Sequence, residues 1–170
     1  LTGRGTMATQ PLTSIAFHKS RPDLERPDLE TLFMPTSFDA RVWFPAIRKR
    51  HPDVMTVLNV ALHPGSRGRV RLRSADPAAR PAIHFNILSD PGDVALLAYN
   101  LRWTRKLLRT GPVADYVGDE IFPGPGVESD VDLEAHIRRT VVTAQHPIGT
   151  CRMGSDPAAV VDPDLRVNGI

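Results

Sequence analysis

Residues 53–63 read Asp-Val-Met-Thr-Val-Leu-Asn-Val-Ala-Leu-His, and they indicate the fold more directly than any other stretch of the chain. Their β-branched and large apolar side chains are typical of a strand, and Pro64-Gly65-Ser66 provides the turn after it. Two shorter strands are predicted upstream, at Ser14 to Lys19 and at Leu29 to Met34. The first half of the chain is therefore predicted to consist mostly of strands.

A row of arginines follows the turn. Arg69 to Arg73 alternates arginine with Val70 and Leu72, which predicts a half-buried strand. Four arginines share one side of it at spacing two: Arg67, Arg69, Arg71 and Arg73. The solvated face of an antiparallel strand explains this spacing, and a site for phosphate or an acidic partner is the alternative. No aromatic residue interleaves with the arginines and the net charge is only +2, so nucleic acid is not a predicted partner.

Two helices are predicted after the strands. Ser89 to Asp93 provides a cap, a proline in the first turn and an early acid, and the apolar residues from Val94 to Leu108 form a broad face that ends at Gly111-Pro112. The second helix begins at Ser129, with Asp132 completing a capping box. Its apolar stripe consists of Leu133, Ile137 and Val141. Strands first and helices later predict an α+β fold, with a mainly antiparallel sheet and flanking helices.

The bulk composition narrows the class of protein. The chain has 170 residues, of which 41% are hydrophobic and 24% charged, as expected of one soluble globular domain. A single cysteine excludes an internal disulfide and a cysteine-based zinc site, and is compatible with a reducing cytoplasm. No apolar run is long enough to predict a membrane span. No Gly-x-Gly-x-x-Gly motif lies between a predicted strand and a predicted helix, so a dinucleotide-binding fold is not predicted. Both ends, at Leu1 and Ile170, look cut from a longer protein.

The histidines and the single cysteine are the candidate metal-binding and catalytic residues. None of the six histidines has the spacing of a metal-binding pair, so no metal site is predicted. His136 is expected on the solvated flank of the second helix, and His18, His63 and His84 are expected to be structural. Cys151 is predicted to be a buried, inert thiol, and a nucleophile paired with a nearby base is the alternative.

The segment from His146 to Gly154 is predicted to be a loop that presents a side chain. It reads His-Pro-Ile-Gly-Thr-Cys-Arg-Met-Gly, and its proline and two glycines do not suit a helix or a strand. An imidazole changes its charge near neutral pH and suits proton abstraction from a hydroxyl group. From residue chemistry, His146 is one candidate base among the six histidines.

Several motifs in order carry a family resemblance. Gln145 to Gly154, followed by Val160-Val161-Asp162-Pro163 and Leu165 to Gly169, resembles the C-terminal signature of the glucose-methanol-choline (GMC) oxidoreductases. Matching upstream segments are Pro64 to Pro77, Asn86 to Ser89, and the helix from Asp93 to Arg105 with its Arg102. The resemblance is dense from about Val54 to Ile170. It is looser from Leu1 to Arg50, where family members often carry a Glu-Ala pair near Ser14-Ile15. Members that resemble alcohol and choline dehydrogenases are the most similar.

The resemblance implies that residues 1–170 are a substrate-binding fragment of an FAD-dependent enzyme that oxidises a primary alcohol. It identifies His146 as the proton acceptor, acting while hydride moves from carbon to the flavin, and places Pro147, Ile148 and Gly149 near the flavin ring. FAD would be bound mainly by residues outside this chain, since the family's Gly-rich motif precedes Leu1. The second active-site residue, a His or Asn, would follow Ile170, so the isolated fragment is expected to be inactive.

The implied partners are a small-molecule alcohol and the rest of the parent polypeptide, with its FAD domain. A cytoplasmic location is expected, and peripheral membrane association of the parent stays open. The alternative is a stand-alone binding or accessory module that keeps the fold without a flavin domain. Nucleic-acid binding through Arg67 to Arg73 is a third hypothesis, which the charge balance disfavours.

Overall fold

The computed structural model describes residues 12–38, 40, 46–47 and 52–169. Five strands precede the helices: β1 (Ser14–His18), β2 (Leu29–Met34), β3 (Thr56–Ala61), β4 (Arg69–Arg71) and β5 (Ala82–His84). They are followed by α1 (Pro91–Leu108), a 3₁₀ helix (Gly111–Tyr116) and α2 (Asp130–Thr140). This order confirms the predicted α+β class.

The main sheet has three antiparallel strands in the order β1-β2-β3. Leu32 of the central strand lies opposite Ile15 on one side and Leu58 on the other. Leu29 and Thr31 of β2 are fully buried. The central strand has the bounds that the sequence predicts, whereas the strand expected over residues 53–63 is shorter and covers only Thr56–Ala61.

Strands β4 and β5 form a separate antiparallel ribbon, in which Val70 lies opposite Ile83. The prediction of a half-buried strand over Arg69 to Arg73 was wrong. The strand ends at Arg71, Val70 is exposed, and Leu72 is 88% exposed. Alternation defines two faces of a strand, but a two-stranded ribbon buries little surface by itself. The short strand β5 was not predicted.

The two helices form the hydrophobic core. Its buried residues are Leu88, Val94, Ala98, Leu133 and Ile137, with Leu97, Leu101, Val127 and Val141 packed against them. Helix α2 begins as predicted, because Ser129 Oγ accepts a hydrogen bond from the Asp132 N–H at 3.1 Å and donates one to the Asp132 carboxylate at 2.6 Å. At the start of α1, Asp90 accepts from the Gly92 N–H at 2.7 Å.

A buried polar network joins α1 to the sheet. Thr31 Oγ1 donates to Asn100 Oδ1 at 3.0 Å, and Asn100 Nδ2 donates to the Glu30 carbonyl at 3.2 Å. His18 Nε2 lies 3.1 Å from Asn100 Oδ1, and its ring stacks on Trp103 with 3.8 Å between centroids. Burial lowers the pKa of His18, against the opposing effects of the Asn100 hydrogen bond and the Asp28 charge. These contacts agree with the structural role predicted for His18.

His136 is buried, at 6% exposure, so the prediction of a solvated side chain was wrong. The loop between the helices covers it, and Phe122 contacts its ring edge-on with 4.9 Å between centroids. Arg105 fixes that loop by donating to both carboxylate oxygens of Glu120, at 2.9 and 2.6 Å, and to the carbonyls of Gly124 and Val127. Burial lowers the pKa of His136, and the charges of Arg139 and Arg105 add to this effect. A helical pattern cannot show that a distant loop covers the helix.

Asp93 joins the turn after β3 to the first turn of α1. The residue is only 5% exposed, and its carboxylate accepts hydrogen bonds from the Gly65 N–H, the Ser66 N–H and the Ser66 hydroxyl, at 2.6, 2.9 and 2.5 Å. Burial alone would raise the pKa of this carboxyl. The hydrogen bonds from Ser66 and Gly65, with the Arg67 charge, more than offset burial and lower the pKa of Asp93.

We expect Asp93→Asn to lower the free energy of unfolding at neutral pH by about 2 kcal/mol, because the amide leaves part of this donor cluster without an acceptor. The carboxylate stabilises the fold fully above its unfolded pKa of about 3.9, and this stabilisation is lost as the pH falls through the lower folded pKa. Urea unfolding of both proteins at about pH 7 and about pH 3 measures the difference. The exposed Asp119→Asn is the control, and a pH-independent gap between Asp93→Asn and wild type would contradict the argument.

Candidate functional site

His146 lies in a loop between the end of α2 and a C-terminal turn cluster, which we define as residues 152–168. The loop begins where the Val141 N–H donates to the Ile137 carbonyl at 2.8 Å. It ends where the Arg152 carbonyl accepts from the N–H groups of Val160 and Val161, at 2.8 and 3.3 Å. No helix or strand forms between Thr140 and Arg152, which confirms the predicted loop.

The C-terminal turn cluster is held by hydrogen bonds between short segments. The Asn168 N–H donates to the Val160 carbonyl at 2.9 Å, and Asn168 Nδ2 donates to the Ala159 carbonyl at 3.0 Å. Arg152 donates to both oxygens of Asp156, at 2.8 and 2.5 Å, and this lowers the pKa of Asp156 to about 2. The cluster therefore provides an ordered anchor directly after Cys151.

The loop presents a mixed surface to solvent. His146 is exposed, and its imidazole has no hydrogen-bond partner among the described residues. Ile148 is 90% exposed, and a Cβ built on Gly149 would meet no atom within 4 Å. The backbone N–H groups of Ile148, Gly149 and Thr150 likewise donate to no group in the part of the chain that the structure describes. The loop therefore presents an imidazole, an apolar side chain and unpaired backbone N–H donors next to open space at Gly149.

Two residues in this loop have left-handed backbone conformations. Gln145 has a φ of +62°, and Gly149 has a φ of +101°. The Thr143 hydroxyl accepts a hydrogen bond from the Gln145 N–H at 3.0 Å. Sequence reasoning did not single out Thr143, and it gave Gln145 no role beyond its place in the family motif. The only signal was a threonine two residues before the donor, which is a common turn feature and therefore has low specificity.

Cys151 is exposed, so the prediction of a buried thiol was wrong. The prediction relied on the general tendency of free cysteines to be buried. Its place in an exposed loop overrides that tendency here.

We expect Cys151 in the folded 170-residue chain to react fully with Ellman's reagent in buffer, without denaturant, because its sulfur is accessible. The measurement is the release of the coloured thiolate, with Cys151→Ser as the blank. Reaction only after addition of urea would show that the thiol is protected.

Two grooves in the described part of the chain lie elsewhere. The larger, of about 430 Å³, is lined by Arg102, Arg105, Lys106, Arg109, Thr110 and Glu128. The second, of about 280 Å³, lies between α1 and α2. Neither includes a residue of the His146 loop. Among the described residues, no group of three or more His, Cys, Asp or Glu side chains is arranged to bind a metal.

Comparison with known proteins gives the family. A protein-family model described as GMC oxidoreductase matches residues 64–170 of this chain. The chain belongs to the GMC oxidoreductase family. The match begins at the turn that Asp93 holds and includes the whole His146 loop.

Two curated relatives of this GMC oxidoreductase chain are enzymes. It is 41% identical to an oxygen-dependent choline dehydrogenase of Rhizobium johnstonii over 98% of its length, and 38% identical to an alcohol dehydrogenase [acceptor] of Pseudomonas putida, also over 98%. In each case it spans about 30% of the relative. These matches favour the enzyme-fragment hypothesis over the stand-alone module.

Solved structures of the family have the same fold. Pyridoxine 4-oxidase from Mesorbium loti matches with a TM-score of 0.76 and 27% identity, over 94% of this chain and 31% of that one. Formate oxidase of Aspergillus oryzae, studied for the effect of a mutation on FAD modification, matches with a TM-score of 0.70 and 28% identity, over 86% of this chain and 26% of that one. No helix among the described residues is long and apolar enough to cross a membrane.

The exposed groups of the His146 loop are chemically compatible with one side of a flavin ring. The ring system is flat and largely apolar, with polar atoms along its edge. The exposed Ile148 suits the apolar surface, and the free N–H groups beside Gly149 suit a polar edge. The missing Cβ at Gly149 leaves room for close approach of another group.

Proposed function

We propose that residues 1–170 are a substrate-binding fragment of an FAD-dependent oxidoreductase that acts on a primary alcohol. The observation that carries the proposal is the exposed His146, which lies in a family-matched loop and has no hydrogen-bond partner among the described residues. A base must be free to bind the hydroxyl proton that it removes. The enzyme names of the relatives support the same reaction class.

His146 acts as the proton acceptor in this proposal. Its imidazole accepts a hydrogen bond from the substrate hydroxyl and then takes the proton at a ring nitrogen. The negative charge that develops on the substrate oxygen makes the adjacent C–H bond a better hydride donor. Bound FAD supplies the hydride acceptor. The chain's own task is to hold the base beside the hydroxyl group and to accept one proton.

Pro147, Ile148 and Gly149 form the proposed flavin-facing side of the loop. Pro147 restricts the backbone of His146, which limits the directions that the imidazole can take. Ile148 offers an apolar surface, and Gly149 allows close approach of the backbone. Most of the FAD-binding surface would come from the rest of the parent polypeptide, because this chain spans about 30% of its curated relatives.

The partners in this proposal are a small-molecule alcohol and the FAD domain of the parent protein. A cytoplasmic location is part of the proposal and is supported only by the single, exposed thiol, which suits a reducing compartment.

The test of function is the anaerobic reduction of flavin by an alcohol in the full-length protein, with wild type compared with His146→Ala. Near-normal flavin bleaching in the variant would refute the proposal.

A further inference from the structure

The backbone directly before His146 has an unusual conformation. Gln145 has a φ of +62°, in the left-handed region that L-residues other than glycine seldom adopt, because the Cβ atom comes too close to the following carbonyl oxygen. Glycine or asparagine is the usual residue at such a position. The glutamine adopts this conformation at a steric cost, and such strained residues often occur at functional sites.

Thr143 supports this conformation. Its hydroxyl accepts the Gln145 N–H at 3.0 Å, which closes a short side-chain turn. The Gln145 side chain itself is exposed and has no hydrogen-bond partner among the described residues. Leu88, another left-handed residue, differs because it is buried in the hydrophobic core. At Gln145 the support is therefore local and rests on one hydroxyl group.

The direction of His146 depends on this turn. A residue at position 145 in a helical or extended conformation would have a φ more than about 100° away from the observed value, and would redirect the chain that follows. Pro147 restricts the backbone on the other side of His146. The imidazole is thus oriented between two local constraints, in a loop that makes no other hydrogen bonds from Gln145 to Cys151 within the described residues.

We propose that Thr143 and Gln145 are positioning residues for the His146 base. The inference rests on the proposed function of His146. Neither residue acts on the substrate. The Thr143 hydrogen bond and the left-handed turn at Gln145 set the fraction of molecules in which His146 is correctly presented, and the limiting rate of flavin reduction is proportional to that fraction.

The test is a set of variants in the full-length holoenzyme, with anaerobic flavin reduction followed at saturating alcohol. We expect Gln145→Gly and Gln145→Asn to keep the limiting rate within about twofold, because both new residues tolerate a positive φ. Gln145→Val lowers it about tenfold, because a β-branched residue disfavours that region. At the other position, we expect Thr143→Ser to keep the rate. We expect Thr143→Val to lower it about tenfold, because valine has a similar shape but lacks the hydroxyl group.

The matched control is Ala144→Val, which introduces the same side chain at an adjacent position that lacks a positive φ. It keeps the wild-type rate. The half-saturating alcohol concentration and the melting temperature change little across the set, since these variants alter loop population and not the core. A rate that is kept in Gln145→Gly and Thr143→Ser but lost in the two valine variants separates a positioning role from general damage to the fold.

Two results would overturn the positioning role: an unchanged rate in Gln145→Val, or an equal loss in Gln145→Gly and Gln145→Val. His146→Ala, measured in parallel, tests the base separately. A large loss in His146→Ala with an unchanged Gln145→Val removes the positioning role and leaves the base. A normal rate in His146→Ala removes the base and, with it, the positioning role.

Discussion

Flavin reduction in the full-length protein is expected to slow by about 10³-fold when His146 is replaced by alanine. The variant removes the proposed proton acceptor, so the alcohol must lose its proton to water before or during hydride transfer. An imidazole is a far better acceptor than water near neutral pH. The rate of flavin bleaching after anaerobic mixing with an alcohol measures this effect directly.

A second histidine provides the control for this prediction. His84→Ala changes an exposed histidine on β5, outside the His146 loop, and should leave the rate unchanged. Free imidazole added to His146→Ala should restore part of the rate, because a small base can enter the space left by the side chain. If rescue fails and the loss is below about tenfold, His146 is not the general base.

Replacing Leu133 by alanine is expected to lower the free energy of unfolding by about 3 kcal/mol. Leu133 is at 0% exposure and belongs to the core between α1 and α2, with Val94, Ala98 and Ile137. Removal of its side chain loses apolar burial and leaves a cavity that the two helices fill only in part. Urea unfolding of the 170-residue chain, followed by circular dichroism, gives the change in midpoint.

Val131→Ala is the matched control on the same helix. Val131 is 76% exposed, so its loss should change the free energy of unfolding by less than about 0.5 kcal/mol. Equal effects of the two substitutions would show that the face of α2 that carries Leu133 is not the buried one.

Local signals predicted the bounds of several elements. Strand β2 was predicted at Leu29–Met34 because prolines lie close to both of its ends, and the structure has the same bounds. Helix α2 was predicted to begin at Ser129, which is its N-cap in the structure, because a capping box involves only residues three apart. The loop around His146 was predicted from its proline and glycines, for the same local reason.

Burial was the property that the sequence predicted least well. His136 was expected to be solvated, yet the loop that Arg105 fixes covers it. Cys151 was expected to be buried and is exposed, and the alternating segment from Arg69 to Arg73 is also exposed. Each error concerns what packs against a residue, which depends on segments far away in the chain.

The sequence by itself determined the order of strands and helices, the starts of the helices and the family, because these depend on neighbouring residues and on motifs read in order. It also singled out His146. Only the tertiary structure decided that Thr143 and Gln145 form a left-handed turn before that histidine, and which side chains are buried. The reasons are physical: a threonine two residues before an N–H is compatible with several local conformations, so it does not specify this turn, and burial results from contacts that form only once the chain has folded.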